Sequence, residues 1–218
     1  MWNDKKVVKV LEILADYTAS WNRPYVERVG EKRDPFQLLI ACILSLRTKD
    51  EVTARAARNL FSQASTPASL LTLDEKKIAQ LIYPVGFYRK KARTIRDISL
   101  ILLKKYNSRV PDNWEGLLSF PGVGRKTAAL VLSQGYGKPA ICVDTHVHRI
   151  TNRWGLVKTK NPEETEKALM EIVPADYWQK INPLLVIFGQ RTCKPISPFC
   201  SACPLRKDCQ KVGVTIHR

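Results

Sequence analysis

The sequence predicts an all-α fold. Apolar residues recur at helical spacing along most of the chain, and the alternation expected of a strand rarely extends beyond four residues. Helix-starting signals also recur, such as Asp34 before Pro35 and Asn161 before Pro162. A length of 218 residues leaves one large domain or two smaller ones open, and the chain has no internal repeat and no low-complexity tract.

In the first half of the chain, prolines and small polar residues separate the periodic segments. Asp34 and Pro35 predict the cap and first turn of an apolar helix that continues to Leu46. The other helices predicted here are one around Val7–Leu14, one at Lys49–Phe61, two short ones punctuated by Pro67 and Pro84, and one from the turn Val85-Gly86-Phe87 to Tyr106. The last of these carries Arg and Lys on one side and Ile and Leu on the other.

The second half predicts a helix-hairpin-helix. A short helix at Trp114–Ser119 and a longer one at about Arg125–Gln134, with Gly135 as its stop, flank the turn Pro121-Gly122-Val123-Gly124. For the helices that follow, we expect caps at Asp144 and Asn161 and a kink or break at Pro183.

The chain is strongly basic. It has 36 Lys and Arg against 20 Asp and Glu, a formal net charge of +16, which is more than solubility requires. Such a charge attracts a polyanion, and nucleic acid is the first candidate. A solvated basic surface or the ion-pair networks of a heat-stable protein are alternatives, but paired networks would bring the acids up alongside the bases.

The apolar segments are too short for a membrane span, which needs roughly 20 residues. Near the N-terminus, Asp4, Lys5 and Lys6 interrupt any apolar stretch of the kind found in a signal peptide. The sequence therefore predicts an intracellular, cytoplasmic protein, associated with the nucleoid if the source is prokaryotic, with no membrane partner.

Four cysteines near the C-terminus predict a metal or cluster site. They are Cys193, Cys200, Cys203 and Cys209, with the spacing C-x6-C-x2-C-x5-C. An intracellular location disfavours disulfides. Zinc and iron–sulfur clusters both accept four thiolates, and the residues alone do not decide between them. Cys42 and Cys142 lie in apolar segments and are interpreted as small buried residues.

The hairpin turn suits contact with a phosphate. Gly122 and Gly124 let the backbone turn tightly and come close to another molecule. Exposed amides at the start of the next helix can then bind the phosphate with help from the helix dipole. A turn of this kind is often only structural, but the neighbouring Arg125 and Lys126 and the net charge favour DNA contact.

Lys126 is a candidate nucleophile. The helix dipole disfavours an ammonium at this position by a few tenths to about 1 kcal/mol, and we expect partial burial and neighbouring cations to favour the neutral amine further. A neutral lysine amine can form a Schiff base. A phosphate-binding or solvated lysine is the alternative.

Asp144 is the candidate carboxylate partner of this lysine. A plain helix cap is the alternative, and the two roles are compatible. His146 and His148 do not predict a metal site, because residues two apart on a helix point to different sides.

These features occur together in one order. The hairpin with Lys126, the segment Val143–Val147 with its aspartate 18 residues beyond that lysine, and the four-cysteine spacing resemble the endonuclease III family of helix-hairpin-helix DNA glycosylases. The resemblance extends from Asp34 to Cys209. It implies a bifunctional DNA glycosylase and AP lyase of base excision repair that removes damaged bases, oxidised pyrimidines in particular. Lys126 would attack the sugar C1′ and Asp144 would assist.

The resemblance also implies a cofactor and a two-domain fold. The family carries a [4Fe–4S] cluster on cysteines with this spacing. Residues 28–138 would form a six-helix barrel domain that contains the hairpin, and residues 1–27 and 139–218 would form the cluster domain. The expected partner is double-stranded DNA with damaged bases or abasic sites, and we expect the protein to be a monomer.

Two further segments resemble loops that enter the duplex in this family. Where this chain has Arg47, a glutamine is usual; because a guanidinium only donates hydrogen bonds, the family's choice of opposite base does not carry over. Gly86-Phe87-Tyr88 matches the second loop, so that Phe87 is predicted to be a stacking wedge, with a core aromatic as the alternative. The other expected DNA contacts are Gly122, Gly124, Arg125, His146 and Lys194.

Two alternative functions remain. One is a monofunctional mismatch glycosylase, acting on thymine or uracil opposite guanine or on adenine; members without lyase activity generally lack a lysine at the position of Lys126. The other is a non-catalytic DNA-binding module in which Asp144 only caps a helix.

Overall fold

The structure is a computed structural model that describes residues 2–218, and over these residues it contains helices and no strand. The α-helices are α1 Asp4–Thr18, α2 Tyr25–Glu31, α3 Pro35–Ser45, α4 Asp50–Phe61, α5 Pro67–Leu71, α6 Glu75–Ile82, α7 Tyr88–Lys105, α8 Trp114–Leu118, α9 Arg125–Leu130, α10 Thr145–Trp154, α11 Pro162–Ile172 and α12 Trp178–Arg191. A π-helical turn, Val131–Gly135, follows α9, and a 3-10 turn, Ala175–Tyr177, precedes α12. The all-α prediction is confirmed.

The chain divides into two compact units. Residues 24–138, with α2 to α9, form the first and are called the hairpin unit below. Residues 2–23 and 139–218, with α1 and α10 to α12, belong to the second, which is called the cysteine unit. The family resemblance placed the two boundaries after residues 27 and 138.

Helix α3 lies at the centre of the hairpin unit. Eight of its eleven residues are buried, Leu38 and Ile43 among them, as expected of a helix that is apolar on all sides. It packs against α2, α4, α7 and α9. The predicted cap is present, because the Asp34 side chain accepts hydrogen bonds from the amides of Phe36 and Gln37, each at 3.0 Å.

The hairpin consists of α8, residues 119–124 and α9. The predicted helix Arg125–Gln134 is α-helical only to Leu130, where the backbone becomes π-helical. The prediction of Gly135 as a helix stop is correct in position but wrong in mechanism. Gly135 is the last residue of the π-helical turn and lies against Pro35 and Leu38, whereas the left-handed glycine is Gly137, with a φ of 68°.

The core of the cysteine unit joins three helices. Val10 and Leu14 of α1 cluster with Val147 and Ile150 of α10 and with Phe188 of α12, and each is at most 2% exposed. Residues 192–218, which carry the four cysteines, contain no helix and follow α12. The unit therefore depends on segments from both ends of the described chain.

Helix α12 continues through Pro183. The predicted break does not occur, since one helix extends from Trp178 to Arg191. A proline removes one amide donor and crowds the preceding turn. Ile181 and Leu185, on either side, are 2% and 0% exposed. Their burial stabilises the helix across the missing hydrogen bond.

Candidate functional site

The hairpin turn presents its backbone to solvent. Gly122 is exposed with a φ of 75°, a left-handed conformation that favours glycine. Gly124 is the N-cap residue of α9, in extended backbone with a φ of −103°. A Cβ added at Gly124 would meet no atom within 4 Å. The space beside this cap is therefore open to an approaching molecule.

Lys126 is the second residue of α9 and is exposed. The partial burial that we expected is not found. The positive charge of Lys126 acts on the buried thiol of Cys42 in α3. Burial raises the pKa of this thiol to about 12, and the charge of Lys126 partly opposes the rise. Cys42, 4% exposed, stays a neutral thiol, in agreement with its interpretation as a small buried residue.

Arg125, the first residue of α9, is also exposed. Its guanidinium carbon lies 5.0 Å from the centre of the Trp114 ring on α8. A cation over an indole face is held by the ring's electrostatic field. The hairpin thus has a cation braced beside the exposed amides of its turn.

Arg47 and Phe87 are brought together by two separate loops of the hairpin unit. The Arg47 guanidinium carbon lies 5.8 Å from the Phe87 ring centre. Arg47 is exposed and Phe87 is 63% exposed, which excludes the core alternative for Phe87. Both residues adopt left-handed backbone, with φ values of 52° and 57°.

Sequence reasoning missed Lys91 of α7. Its side chain is buried, with the residue 7% exposed, and its ammonium donates to the carbonyl oxygens of Leu44 at 2.9 Å and Leu46 at 2.5 Å and to the hydroxyl of Thr48 at 3.2 Å. A signal was present, because Lys91 lies four residues before the buried Ile95 and thus in the apolar register of the helix. The description of α7 as basic on one side and apolar on the other is wrong at this residue.

Asp144 lies in the cysteine unit as the N-cap of α10, which confirms its role as a cap. Its Oδ1 accepts hydrogen bonds from the amides of His146 at 2.8 Å and Val147 at 3.0 Å. The residue is only 8% exposed. A carboxylate held in this way has a fixed direction and the stabilising field of a helix N-terminus.

The two histidines of α10 have different neighbours. His146 Nδ1 lies 3.2 Å from a terminal nitrogen of Arg149. His148 Nδ1 lies 2.7 Å from the Thr165 hydroxyl on α11, so that His148 joins two helices. Arg149 was missed by the sequence reasoning: its guanidinium donates to the carbonyl of Cys193 at 2.9 Å and connects α10 to the cysteine segment.

The four C-terminal cysteines line one apolar pocket, together with cationic side chains. All four are free thiols, and those cations are Arg153, Arg206 and Lys211. Arg153 donates to the Cys193 sulfur at 3.5 Å, and the Lys211 amide donates to the Cys209 sulfur at 3.4 Å.

The electrostatics of this pocket favour a bound cationic group. The pKa of the Cys203 thiol is raised to about 11, chiefly by burial; a hydrogen bond with the Leu205 backbone opposes this rise, and negative charge on the three other cysteines adds to it. Four thiolates held this close repel one another until a metal centre neutralises them. Within residues 2–218, no set of three or more His, Cys, Asp or Glu side chains is placed to hold a single metal ion.

Lys194 lies between the first two cysteines, and it is partly buried. Its ammonium is 5.1 Å from the centre of the Phe199 ring. The Arg153 guanidinium donates to the Lys194 carbonyl at 2.6 Å, which fixes the backbone of this loop.

No helix of the part described, residues 2–218, has the length and apolar character needed to cross a membrane.

Comparison with known proteins identifies the family. Residues 40–175 match the HhH-GPD superfamily of base excision DNA repair proteins. Endonuclease III of Thermotoga maritima is 51% identical over 183 residues, which cover 84% of this chain and 86% of that protein. The chain belongs to the endonuclease III family.

Other members of the endonuclease III family differ in length. Endonuclease III of Escherichia coli is 36% identical over 202 residues, covering 93% of this chain and 95% of that protein. Endonuclease III-like protein 1 of Bos taurus is 46% identical over 177 residues, and the match covers 80% of this chain but only 58% of the bovine protein.

Solved structures give the same assignment. A trapped covalent intermediate of an endonuclease III with DNA, in an estranged-adenine complex, matches with a TM-score of 0.85 and 35% identity, over 97% of each chain. A thermostable thymine-DNA glycosylase matches with a TM-score of 0.84 and 25% identity, over 95% of this chain and 97% of that one. The endonuclease III fold is therefore shared with a glycosylase of different specificity.

Proposed function

We propose that the chain is a bifunctional DNA glycosylase and AP lyase that removes oxidised pyrimidines from double-stranded DNA. The observation that carries this proposal is the exposed Lys126 at the start of α9, beside the open turn at Gly124, in a chain with endonuclease III relatives. An amine in this position can reach a nucleotide held against the hairpin. A glycosylase that only hydrolyses the bond to the base has no need of one.

The reaction would begin when the damaged nucleotide leaves the stack, at a cost of a few kcal/mol that is smallest for bases that stack or pair badly. The Lys126 amine attacks C1′, and the C1′–N bond breaks with its electron pair going to the base, which is protonated as it leaves. Loss of the amine proton and opening of the sugar give an imine between Nζ and C1′. A proton is then removed from C2′, and the 3′ phosphate leaves by β-elimination, which nicks the strand.

Asp144 would support this chemistry with its charge. Positive charge develops on the sugar as the base departs, and a carboxylate fixed by two backbone amides needs no reorganisation to stabilise it. The same carboxylate can pass protons during imine formation and elimination. Its role as a helix cap is part of this design, because capping fixes the direction of the oxygens.

The protein would grip the strand at the hairpin and fill the gap with Arg47 and Phe87. Amides at the start of α9 and the cations Arg125 and Lys194 bind phosphates in this proposal, and His146 is a further contact. Phe87 is exposed enough to stack on a base, and Arg47 lies against its ring. Together they would occupy the space that the extruded base leaves.

A first prediction tests the hairpin. Gly124→Ala should fold normally, because the φ of −103° suits alanine and the new Cβ meets nothing within 4 Å. If a phosphate lies against this backbone, the methyl group should weaken binding to abasic duplex about tenfold, or about 1.4 kcal/mol. Fluorescence anisotropy and a thermal melt measure the two effects.

Gly122→Ala provides the contrast for that experiment. At a φ of 75°, alanine is strained by about 1–2 kcal/mol, so the melting temperature of this variant should fall. Unchanged DNA affinity in the Gly124→Ala protein would mean that no part of the DNA lies against this cap.

For the cofactor, we propose that Cys193, Cys200, Cys203 and Cys209 hold a [4Fe–4S] cluster. The support is the donor set itself, four cysteines that line one apolar pocket together with three cations and whose thiolates would repel one another without a bound metal centre. When bound, the cluster would stabilise the fold of the cysteine unit through its thiolate bonds. Its position in sequence far from Lys126 favours a structural role.

A second prediction tests this cofactor. The purified protein should be yellow-brown, absorb at about 400 nm and contain about four irons per chain. Cys203→Ala should lose iron and lower the melting temperature, since ligation contributes folding free energy. Cys142→Ala, which removes a buried cysteine that does not line the pocket, should keep its iron. A colourless protein with one zinc would instead support the zinc alternative.

The domain assignment is part of the proposal. Residues 28–138 would be the six-helix barrel domain of the family, and residues 1–27 and 139–218 its cluster domain. Five of the seven proposed DNA contacts other than the catalytic pair, from Arg47 to Arg125, lie in the first of these.

The proposed function can be tested on four duplexes that contain an oxidised pyrimidine, an oxidised purine, a thymine opposite guanine, or an abasic site. Borohydride should trap a covalent complex with the oxidised pyrimidine and with the abasic site, and in its absence the lesion-bearing strand of each of these two duplexes should be nicked. If base is released only from the duplex with thymine opposite guanine, and no complex is trapped, the result would support the monofunctional alternative. The structural similarity to a thymine-DNA glycosylase is the reason to include that duplex. Binding without any reaction would support the non-catalytic module.

A further inference from the structure

Lys91 joins the two loops that carry Arg47 and Phe87. It lies in the first turn of α7, four residues after Phe87, and its side chain crosses to the end of α3. There its ammonium meets three acceptors, the carbonyls of Leu44 and Leu46 and the hydroxyl of Thr48. Arg47 lies between the last two of these.

The hydrogen bonds around this ammonium form one connected set. Helix α3 ends at Ser45, so its last carbonyls have no partner within the helix, and a cation suits this negative end of the helix dipole. The Thr48 hydroxyl, besides accepting from Lys91, accepts from the amide of Gly86 at 3.2 Å and donates to the carbonyl of Leu46, also at 3.2 Å. Lys91 therefore holds the Arg47 loop, and through Thr48 it is connected to the Phe87 loop.

The two loops also touch through their backbones. A Cβ added at Gly86 would lie 2.8 Å from the Arg47 carbonyl oxygen, a distance that leaves no room for a side chain. Arg47 and Phe87 each hold a left-handed conformation that costs about 1–2 kcal/mol without restraint. Two strained residues side by side persist only where their surroundings fix them.

The three acceptors match an ammonium better than a neutral amine. An ammonium has three N–H groups, whereas the neutral form has two and leaves one acceptor without a donor. Burial lowers the pKa of Lys91 to about 8, because the ammonium loses hydrating water at this position. A charged side chain here therefore carries a cost in hydration. An apolar side chain on this buried stripe of α7 would avoid that cost but would leave the loops unconnected.

We propose that Lys91 is a positioning residue that holds Arg47 and Phe87 together as one rigid wedge, which enters the duplex as a unit at a damaged or abasic nucleotide and displaces the opposite base. This inference rests on the proposed function, since it assigns a task to the loops only when the duplex is opened at a lesion. Lys91 itself does not contact DNA or the reacting atoms. Its effect is transmitted through the Leu46–Thr48 and Gly86–Phe87 backbones.

The test compares Lys91→Met with the wild-type protein on two abasic substrates. Methionine keeps the aliphatic stem and removes the three donors. One substrate is a full duplex with 2-aminopurine opposite the abasic site, and the other has a one-nucleotide gap there, so that no opposite base has to be displaced. Lys104→Met, at an exposed position in the last turn of α7, is the control for loss of one positive charge.

The variant should nick the full duplex about tenfold more slowly than the wild type and the gapped duplex at the wild-type rate. The 2-aminopurine fluorescence rise on binding should also shrink, because the wedge no longer displaces the opposite base in one step. Lys104→Met should match the wild type on both substrates. Thr48→Val, which removes the shared hydroxyl and keeps Lys91, should show a smaller loss confined to the full duplex.

Two results would overturn the inference about Lys91 alone. In one, Lys91→Met loses nicking rate equally on both substrates, and Thr48→Val also shows no loss confined to the full duplex. Lys91 would then have a role in folding only. The other is a wild-type rate on the full duplex. A wild-type protein that nicks neither substrate would overturn the proposed function and the wedge with it.

Discussion

Lys126→Gln should abolish borohydride-trapped complexes and strand nicking while abasic duplex stays bound. A glutamine amide has similar length and polarity, but its nitrogen cannot form an imine. Since Lys126 is exposed, the change removes no buried contact. The protein should even gain a few tenths of a kcal/mol, because an ammonium leaves the positive end of a helix dipole. Trapping gels, a nicking assay, fluorescence anisotropy and a thermal melt measure the four effects.

Arg125→Gln is the matched control for that variant. It removes one positive charge from the adjacent residue of the same helix and keeps the amine. This protein should bind DNA more weakly at a given salt concentration, yet still form the trapped complex once saturated with DNA. A Lys126→Gln protein that traps as well as the wild type would require a different nucleophile.

Asp144→Asn should reduce the rate of base release by about a hundredfold or more, with little loss of stability. Asparagine caps a helix about as well as aspartate, so the bonds from the His146 and Val147 amides can persist. What the variant lacks is the charge, which is worth a few tenths to about 1 kcal/mol to the helix. In a site from which water is excluded, the same charge would contribute far more to the transition state. Single-turnover kinetics on an oxidised pyrimidine measure the rate.

Asp34→Asn supplies the control for capping. Asp34 caps α3 in a similar way, accepting from two amides at 3.0 Å and also from the Gln37 side chain at 2.7 Å, and it has no part in the proposed chemistry. The two variants should therefore lose similar stability, and only Asp144→Asn should lose activity. If both turn over at the wild-type rate, Asp144 is a cap and nothing more.

The local signals of the sequence were sufficient for the hairpin and for the caps. The order of Asp or Asn before Pro placed the starts of α3 and α11, because capping is a short-range interaction between a side chain and the next three amides. The exposed glycines and cations of the turn also follow from sequence neighbours. For this part of the site, residues close in sequence determine the geometry.

Helix α2 could not be predicted in this way. Its N-cap, Pro24, has no side-chain hydrogen bond to the helix, and the helix has only seven residues. The cap of its N-terminus comes from elsewhere, because the Tyr25 amide donates to the carboxylate of Asp50 at 2.9 Å. Short helices are marginal by themselves and depend on tertiary contacts.

Lys91 and Arg149 were missed for a similar reason. Each is a cation that donates hydrogen bonds to backbone carbonyls of another segment, 40 or more residues away in sequence. Composition and periodicity describe such residues as part of a solvated basic face. For Lys91, its place on the apolar register of α7 is a signal, which becomes decisive only when the partner segment is known. Arg149 lies off the buried stripe of α10 and carries no such signal.

The division of the cysteine unit between the two ends of the described chain has a consequence for biosynthesis. Domains generally fold as they leave the ribosome, N-terminal parts first. The apolar residues that cover Val10 and Leu14 of α1 belong to α10 and α12, which are translated more than 100 residues later. Residues 24–138 can thus finish folding before α1 has its partners. Because the fourth cysteine is residue 209, the proposed cluster can be bound by all four cysteines only after that residue has been made. A nascent chain arrested before α12 should therefore expose α1 to chaperones and proteases while its hairpin is already protected.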